Sequence, residues 1–139
     1  MNLKDSIAIM IKQLGQEFDK LANKVLSQYG LTASQFKVLK VIMSEPEFSV
    51  RQIDIENYFS MSNPTVTGII QNLEKKGLIE RVANPEDKRS KVLRVTQKVH
   101  EMEDEILQIG DELEEQFTHQ LTEAEKELLK TLLGKMADG

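Results

Sequence analysis

The chain has 139 residues, a length that fits one domain, or one domain with an added arm, and that can bury about two-thirds of the unfolded surface. It lacks cysteine, which excludes disulfides, thiolate metal sites, a cysteine nucleophile and a thiol redox sensor; its longest apolar run, Ile7 to Ile11, is too short for a secretory core or a membrane span, so a soluble, cytoplasmic protein with no membrane partner is expected. The net charge of −5 divides into +1 over residues 1–33, +3 over 34–100 and −9 over 101–139, so an acidic block hides a mildly basic middle.

Leu3, Ile7, Met10, Ile11, Leu14, Phe18, Leu21, Val25 and Leu26 recur at spacings of three and four, predicting a helix over 3–28 that ends at Gly30. Thr32-Ala33-Ser34-Gln35 is a capping box that opens a second helix, with Phe36, Leu39, Ile42 and Met43 on one stripe and Glu45-Pro46-Glu47 as its break. Phe48-Ser49-Val50 is short and β-prone. A small helix follows over about 51–59, then a turn at Ser60-Met61-Ser62. Asn63 as cap and Pro64 in the first turn start a helix over 63–76, with Val66, Ile69, Ile70 and Leu73 inward and Gly77 as its stop. Two short helices joined by a tight turn form a helix-turn-helix pattern.

Leu78–Ala83 and Lys91–Val95 alternate Ile and Val with Arg, and the loop 84–90 between them has turn chemistry, so they predict a hairpin. A long helix is expected over 97–119, where Val99, Met102, Ile106, Ile109, Leu113 and Phe117 approach a coiled-coil seam. Thr122-Glu123-Ala124-Glu125 is a second capping box, opening a last helix with Leu128, Leu129, Leu132, Leu133 and Met136 on one face.

The outward face of helix 63–76 carries Pro64, Thr67, Gly68, Gln71, Asn72 and Lys75, small at its start, hydrogen-bonding in the middle and cationic at its end. A DNA major groove admits one helix with its N-terminal residues against base edges; Thr can touch a thymine methyl, and Gln or Asn can pair with adenine. Gly68 costs about 1 kcal/mol against Ala in an exposed helix interior, and close approach of a nucleic acid would offset that cost. The hairpin adds Arg81 and Arg94 on its strands and Lys88, Arg89 and Lys91 at or near its tip; a thin cationic ribbon can reach the minor groove, and Asp87 is spaced to fix the Arg89 rotamer. Taken singly, each feature also suits an ordinary polar helix face or a charge-protected hairpin edge. Their succession is much more specific.

The run Ser62-Asn63-Pro64-Thr65-Val66-Thr67-Gly68, followed by Leu73-Glu74-Lys75-Lys76-Gly77-Leu78-Ile79-Glu80-Arg81, Asp87-Lys88-Arg89-Ser90 and Val95-Thr96, resembles the MarR family of bacterial regulators. Leu31-Thr32 with Gln35-Phe36 adds to the resemblance, which covers essentially the whole chain. It implies a mainly α fold with a small β-hairpin wing: a winged helix-turn-helix over 31–96 with dimerisation helices at 1–30 and 97–139. It implies a transcriptional regulator rather than an enzyme, acting as a homodimer on double-stranded DNA at a near-palindromic operator, with no cofactor. Ser62, Asn63, Pro64, Thr65, Thr67, Gly68, Gln71, Asn72 and Lys75 would face the major groove. Arg81, Asp87, Lys88, Arg89 and Lys91 would serve the wing, with Arg89 in the minor groove and Asp87 orienting it. Three positions depart from the pattern: Glu56 replaces a usual small residue, Val99 a common Gly, and Gly68 a frequent Arg.

A small-molecule effector is a further expected partner, with Met10, Leu14, Phe18, Phe36 and the start of the long helix as its candidate walls, although plain core packing accounts for each of these residues alone. No metal site is expected: His100 and His119 are 19 residues apart, roughly 28 Å along one helix, and each has only an i,i+4 carboxylate for company. A winged-helix module that binds protein through its acidic helices is the competing reading. No nucleophile–base pair or phosphate loop supports an enzyme.

Overall fold

A computed structural model describes residues 2–139, and the side chain of Leu3 lies outside the described part. Seven α-helices and one hairpin follow in the order α1 (Ile7–Leu26), α2 (Ala33–Ser44), α3 (Gln52–Phe59), α4 (Asn63–Lys75), β1 (Ile79–Ala83), β2 (Lys91–Val95), α5 (Gln97–Glu101), α6 (Glu103–Thr118) and α7 (Glu123–Asp138). This is the mainly α winged helix-turn-helix that the sequence predicts. None of these helices is long and apolar enough to cross a membrane.

The helix ends follow local chemistry. Thr32 accepts the Gln35 N–H at 3.1 Å while Gln35 accepts the Thr32 N–H at 3.2 Å, closing the first capping box; Thr122 and Glu125 close the second at 3.2 and 2.9 Å. The Thr122 N–H holds the Glu125 carboxyl below the usual carboxylate range. The first helix is shorter than expected. Ser6 caps it by accepting the Ile9 N–H, and single 3₁₀ turns at Leu3–Asp5 and Ser27–Tyr29 flank it. Gly30 (φ 70°) and Gly77 (φ 71°) then turn the chain in the left-handed conformation that glycine adopts without a Cβ penalty.

The core lies between α1, α2, α4 and α6. Leu26, Leu39, Ile55, Ile70, Leu73 and Leu113 are all less than 2% exposed, each contributing about 1.5–3 kcal/mol of transfer free energy. The hairpin pairs Ile79 with Val95 through to Ala83 with Lys91, and Val50 joins its edge by accepting the Leu93 N–H at 2.8 Å. Of the β-prone 48–50 segment only Val50 pairs with the hairpin, as a single bridge. The segment's bend is tight enough to put Phe48 at φ 65°.

Two expectations are corrected. The helix over 97–119 is interrupted at Met102 (φ −101°, ψ 4°), giving α5 and α6. The seam is also not an intermolecular one: Val99, Ile106, Ile109 and Leu113 are 1–5% exposed inside their own chain, where α6 packs on α1. Periodicity reports that a face is apolar. It cannot report whose side chains cover it. The uncovered apolar face is on other helices. Ile7, Met10, Ile11 and Leu14 of α1 and Leu128, Leu129, Leu132, Leu133 and Met136 of α7 are all 40% or more exposed, and α7 has no buried residue. The Lys126 ammonium ties α7 to α6 by meeting Glu115 at 3.0 Å, and also meets Glu123 of its own helix at 3.3 Å.

Candidate nucleic-acid interface

The cap of α4 lies one residue before the one proposed. Ser62, not Asn63, is the N-cap, accepting the Thr65 N–H at 3.3 Å. Asn63 is the first helical residue, and its amide N–H donates to Glu56 of α3 at 3.0 Å. Val66, Ile69, Ile70 and Leu73 are buried, which turns the opposite face outward. On that face the Ser62 hydroxyl donates to the Thr65 hydroxyl at 2.9 Å, and the Thr67 hydroxyl accepts from the Gln52 amide at 2.8 Å. Pro64 is exposed and Gly68 half-buried. A Cβ built on Gly68 meets nothing within 4 Å, so no packing within the chain calls for the glycine. Gln71, Asn72 and Lys75, one and two turns further on, are exposed and make no side-chain hydrogen bond among the described residues. The first half of the face is thus fixed by internal hydrogen bonds, and the second half is free to meet a partner.

The hairpin tip is a compact loop. Asn84 donates its N–H to the Ser90 carbonyl at 3.0 Å, and its side chain accepts the Glu86 N–H at 3.0 Å. Asp87 accepts both the Arg89 backbone N–H at 3.1 Å and its guanidinium Nε at 3.2 Å. The expected Asp87–Arg89 pair is formed while the Arg89 side chain stays 93% exposed. Exposure on that scale rules out a packing role for the guanidinium and leaves it aimed at solvent. Lys88 and Lys91 are exposed beside it.

The two strand arginines are engaged elsewhere. Arg81 pairs with Glu74 of α4 at 3.2 Å, bracing the hairpin against the reading helix. Arg94 pairs with its cross-strand neighbour Glu80 at 2.6 Å and with Glu47 at 3.6 Å, and lies over the Phe48 ring. Sequence reasoning missed Gln52, Glu56, Glu74 and Lys76, whose partners lie 7 to 46 residues away and leave no periodic signal. Lys76, at the C-terminal end of α4, donates to the Gly30 carbonyl and, at 2.8 Å, to the amide oxygen of Gln35.

Behind the reading helix lies a cleft of about 280 Å³, lined by Tyr29, Gly30, Leu31, Phe36, Leu39, Lys76, Leu78, Lys98, Met102, Ile106 and Ile109. Phe36 and the start of the long helix line it as expected. Met10, Leu14 and Phe18 do not. Met10 and Leu14 are exposed on the outer face of α1, and Phe18 packs edge-on against Phe117 with centroids 5.0 Å apart. Among the described residues no three His, Asp or Glu side chains come together to hold a metal ion.

The sequence profile of the MarR family matches residues 31–91, from the start of α2 to the first residue of β2. Multiple antibiotic resistance protein MarR of Escherichia coli is 30% identical over 134 residues, covering 91% of this chain and 88% of that protein. A mutant E. coli MarR solved with operator DNA superposes with a TM-score of 0.79 at 29% identity, over 98% of both chains. The Staphylococcus aureus MepR–DNA complex gives 0.80 at 28% identity, over 96% of this chain and 97% of that one. With the fold, the reading helix and the hairpin in agreement over nearly the full length, the chain belongs to the MarR family of transcriptional regulators.

Proposed function

We propose that this chain is a homodimeric, sequence-specific double-stranded DNA-binding regulator that acts on a near-palindromic operator. Helix α4 enters the major groove through Ser62, Asn63, Pro64, Thr65, Thr67, Gly68, Gln71, Asn72 and Lys75. The loop 84–90 enters the minor groove with Arg89, helped by Lys88 and Lys91, while Arg81, paired with Glu74, serves the contact by bracing the hairpin against α4. The observation that carries this reading is the Arg89 guanidinium, braced by Asp87 and 93% exposed at the tip of a thin ribbon that follows the reading helix. Such a group has its ordering entropy partly settled before contact, and the negative potential of a narrow minor groove attracts it. The vacant Cβ direction at Gly68 supports a close approach of DNA to the helix surface.

The homodimer reading rests on the open apolar faces of α1 and α7, which a second copy would cover. We assign residues 1–30 and 97–139 to dimerisation and 31–96 to the DNA-binding domain. Two-fold symmetry then requires two half-sites about one helical turn, 10–10.5 bp, apart. The cleft behind α4 suits a small-molecule effector. Lys76 lines it and also anchors the C-terminal end of α4, so a ligand that drew its ammonium away from Gln35 would loosen the reading helix.

Fluorescence anisotropy of labelled duplexes tests the reading. The purified protein should bind a duplex from its own upstream region tightly, one dimer per duplex, with affinity falling steeply between 50 and 200 mM salt as counterions are released. An unrelated duplex should bind far more weakly. Equal, weak binding to both removes sequence specificity, and no binding to either at low salt overturns the DNA reading.

A further inference from the structure

We propose that Glu56 is a specificity-setting residue of the operator contact, acting by fixing which way the Asn63 amide faces. This rests on the DNA-binding reading above. Glu56 lies on α3, outside the face assigned to base reading. Asn63 is the first residue of α4, the part of a reading helix that meets base edges. The Glu56 Oε2–Asn63 Nδ2 distance is 3.0 Å. An ionised carboxylate only accepts hydrogen bonds, so Asn63 must present its NH₂ to Glu56 and its carbonyl oxygen outward. The amide is therefore not free to flip.

The consequence is chemical. A free Asn recognises adenine with both ends, accepting from N6 and donating to N7. An Asn with one N–H held by Glu56 keeps its second N–H beside its carbonyl oxygen, the two groups that adenine N7 and N6 require. Glu56 thus holds the amide in one orientation, whereas an amide free to turn would also offer its donor end to the N7 and O6 acceptors of guanine. Glu56 also brings a negative charge to the start of a helix that approaches phosphate, where it weakens binding to all sequences alike. One residue thus narrows base choice at one position of each half-site and lowers general DNA affinity.

Two substitutions separate the two effects. Glu56→Gln keeps an oxygen that can accept from Asn63 but removes the charge. Glu56→Ala removes both. Wild type and the variants would be put through selection from a randomised duplex library. Affinities for the wild-type consensus would then be measured by anisotropy at two salt concentrations. The expected result for Glu56→Gln is an unchanged consensus with binding about three- to tenfold tighter at low salt, the gain shrinking as salt rises. For Glu56→Ala, one position in each half-site should broaden from adenine to a mixture of adenine and guanine. Asn63→Ala should lose all preference at that same position, whether Glu56 is present or not.

An unchanged consensus in Glu56→Ala overturns the inference even if affinity rises, because Glu56 would then be only a charge near phosphate. So does a consensus shift in Glu56→Gln equal to that in Glu56→Ala. If wild type selects no duplex at all, the DNA reading falls and takes this inference with it. A selected wild-type consensus that none of the variants alters sinks the Glu56 assignment alone. Circular dichroism melting of each variant checks the fold, which neither substitution should disturb because the pair is at the surface.

Discussion

Replacing Arg89 with Ala should weaken operator binding by about a hundredfold or more without changing the melting temperature. The Arg89 side chain is 93% exposed and, among the described residues, pairs with Asp87 alone, so its removal takes nothing from the core. In a dimer the change is made twice, and the loss of a well-placed arginine contact costs about 1–3 kcal/mol each time. The slope of log affinity against log salt should also fall, by up to about 1 per arginine removed. Asp87→Ala should fall between wild type and Arg89→Ala, since it leaves the charge but removes the acceptor of the Arg89 backbone N–H and Nε. Anisotropy against the selected operator at several salt concentrations reads both quantities. If affinity and slope stay as in wild type, the hairpin loop does not enter the minor groove and α4 must bind alone.

Leu132→Asp should convert a dimer into monomers and abolish tight operator binding. Leu132 is 47% exposed within the single chain and α7 has no buried residue, so a charge there has no intrachain packing to disrupt. Placed between two copies it would bury an unpaired carboxylate, which is strongly unfavourable. Each half-site would then be bound independently. Losing the link between two half-sites forfeits about 10²–10⁴ in affinity. Light scattering after gel filtration should report the mass of one chain, and anisotropy should show only weak, salt-sensitive binding. A variant that keeps both the dimer mass and operator affinity would show that α7 lies outside the interface. Leu113→Asp makes a useful contrast: Leu113 is 1% exposed, so that change should unfold the chain itself.

Much of this arrangement was legible in the sequence because it is written in local terms. Capping boxes at Thr32 and Thr122, the Pro64 start and the Gly77 stop fixed helix positions within a few residues, because each is a bond or a backbone angle satisfied within one turn. The Asp87–Arg89 brace was readable for the same reason, with one residue between the partners. What escaped was whatever depends on partners brought from afar. The stripe from Val99 to Leu113 has a heptad-like period, yet α1 of the same chain covers it. Arg81 and Arg94 read as free cations until folding set Glu74 and Glu80 beside them. Glu56 stood out as an odd residue without a reason, and the reason is an amide seven positions away. The break at Met102 carries neither Pro nor Gly to announce it.

The Gln35 side chain couples two places that chain connectivity keeps apart. Its amide oxygen accepts from the Thr32 N–H at the mouth of α2 and from the Lys76 ammonium at the end of α4, and the residue is 7% exposed. One atom thus serves as acceptor for two helix termini 44 positions apart in sequence, by their numbers 32 and 76. Neither terminus can open without leaving the other's bond in altered company, so the two ends fray together rather than independently. Substitutions at Gln35 and Lys76 should therefore be non-additive, the double change costing less than the two single costs combined, as a thermodynamic cycle would read it. Helix α4 is in this sense not a rod attached to a frame: its end and the start of α2 form a joint that turns on the one oxygen of Gln35.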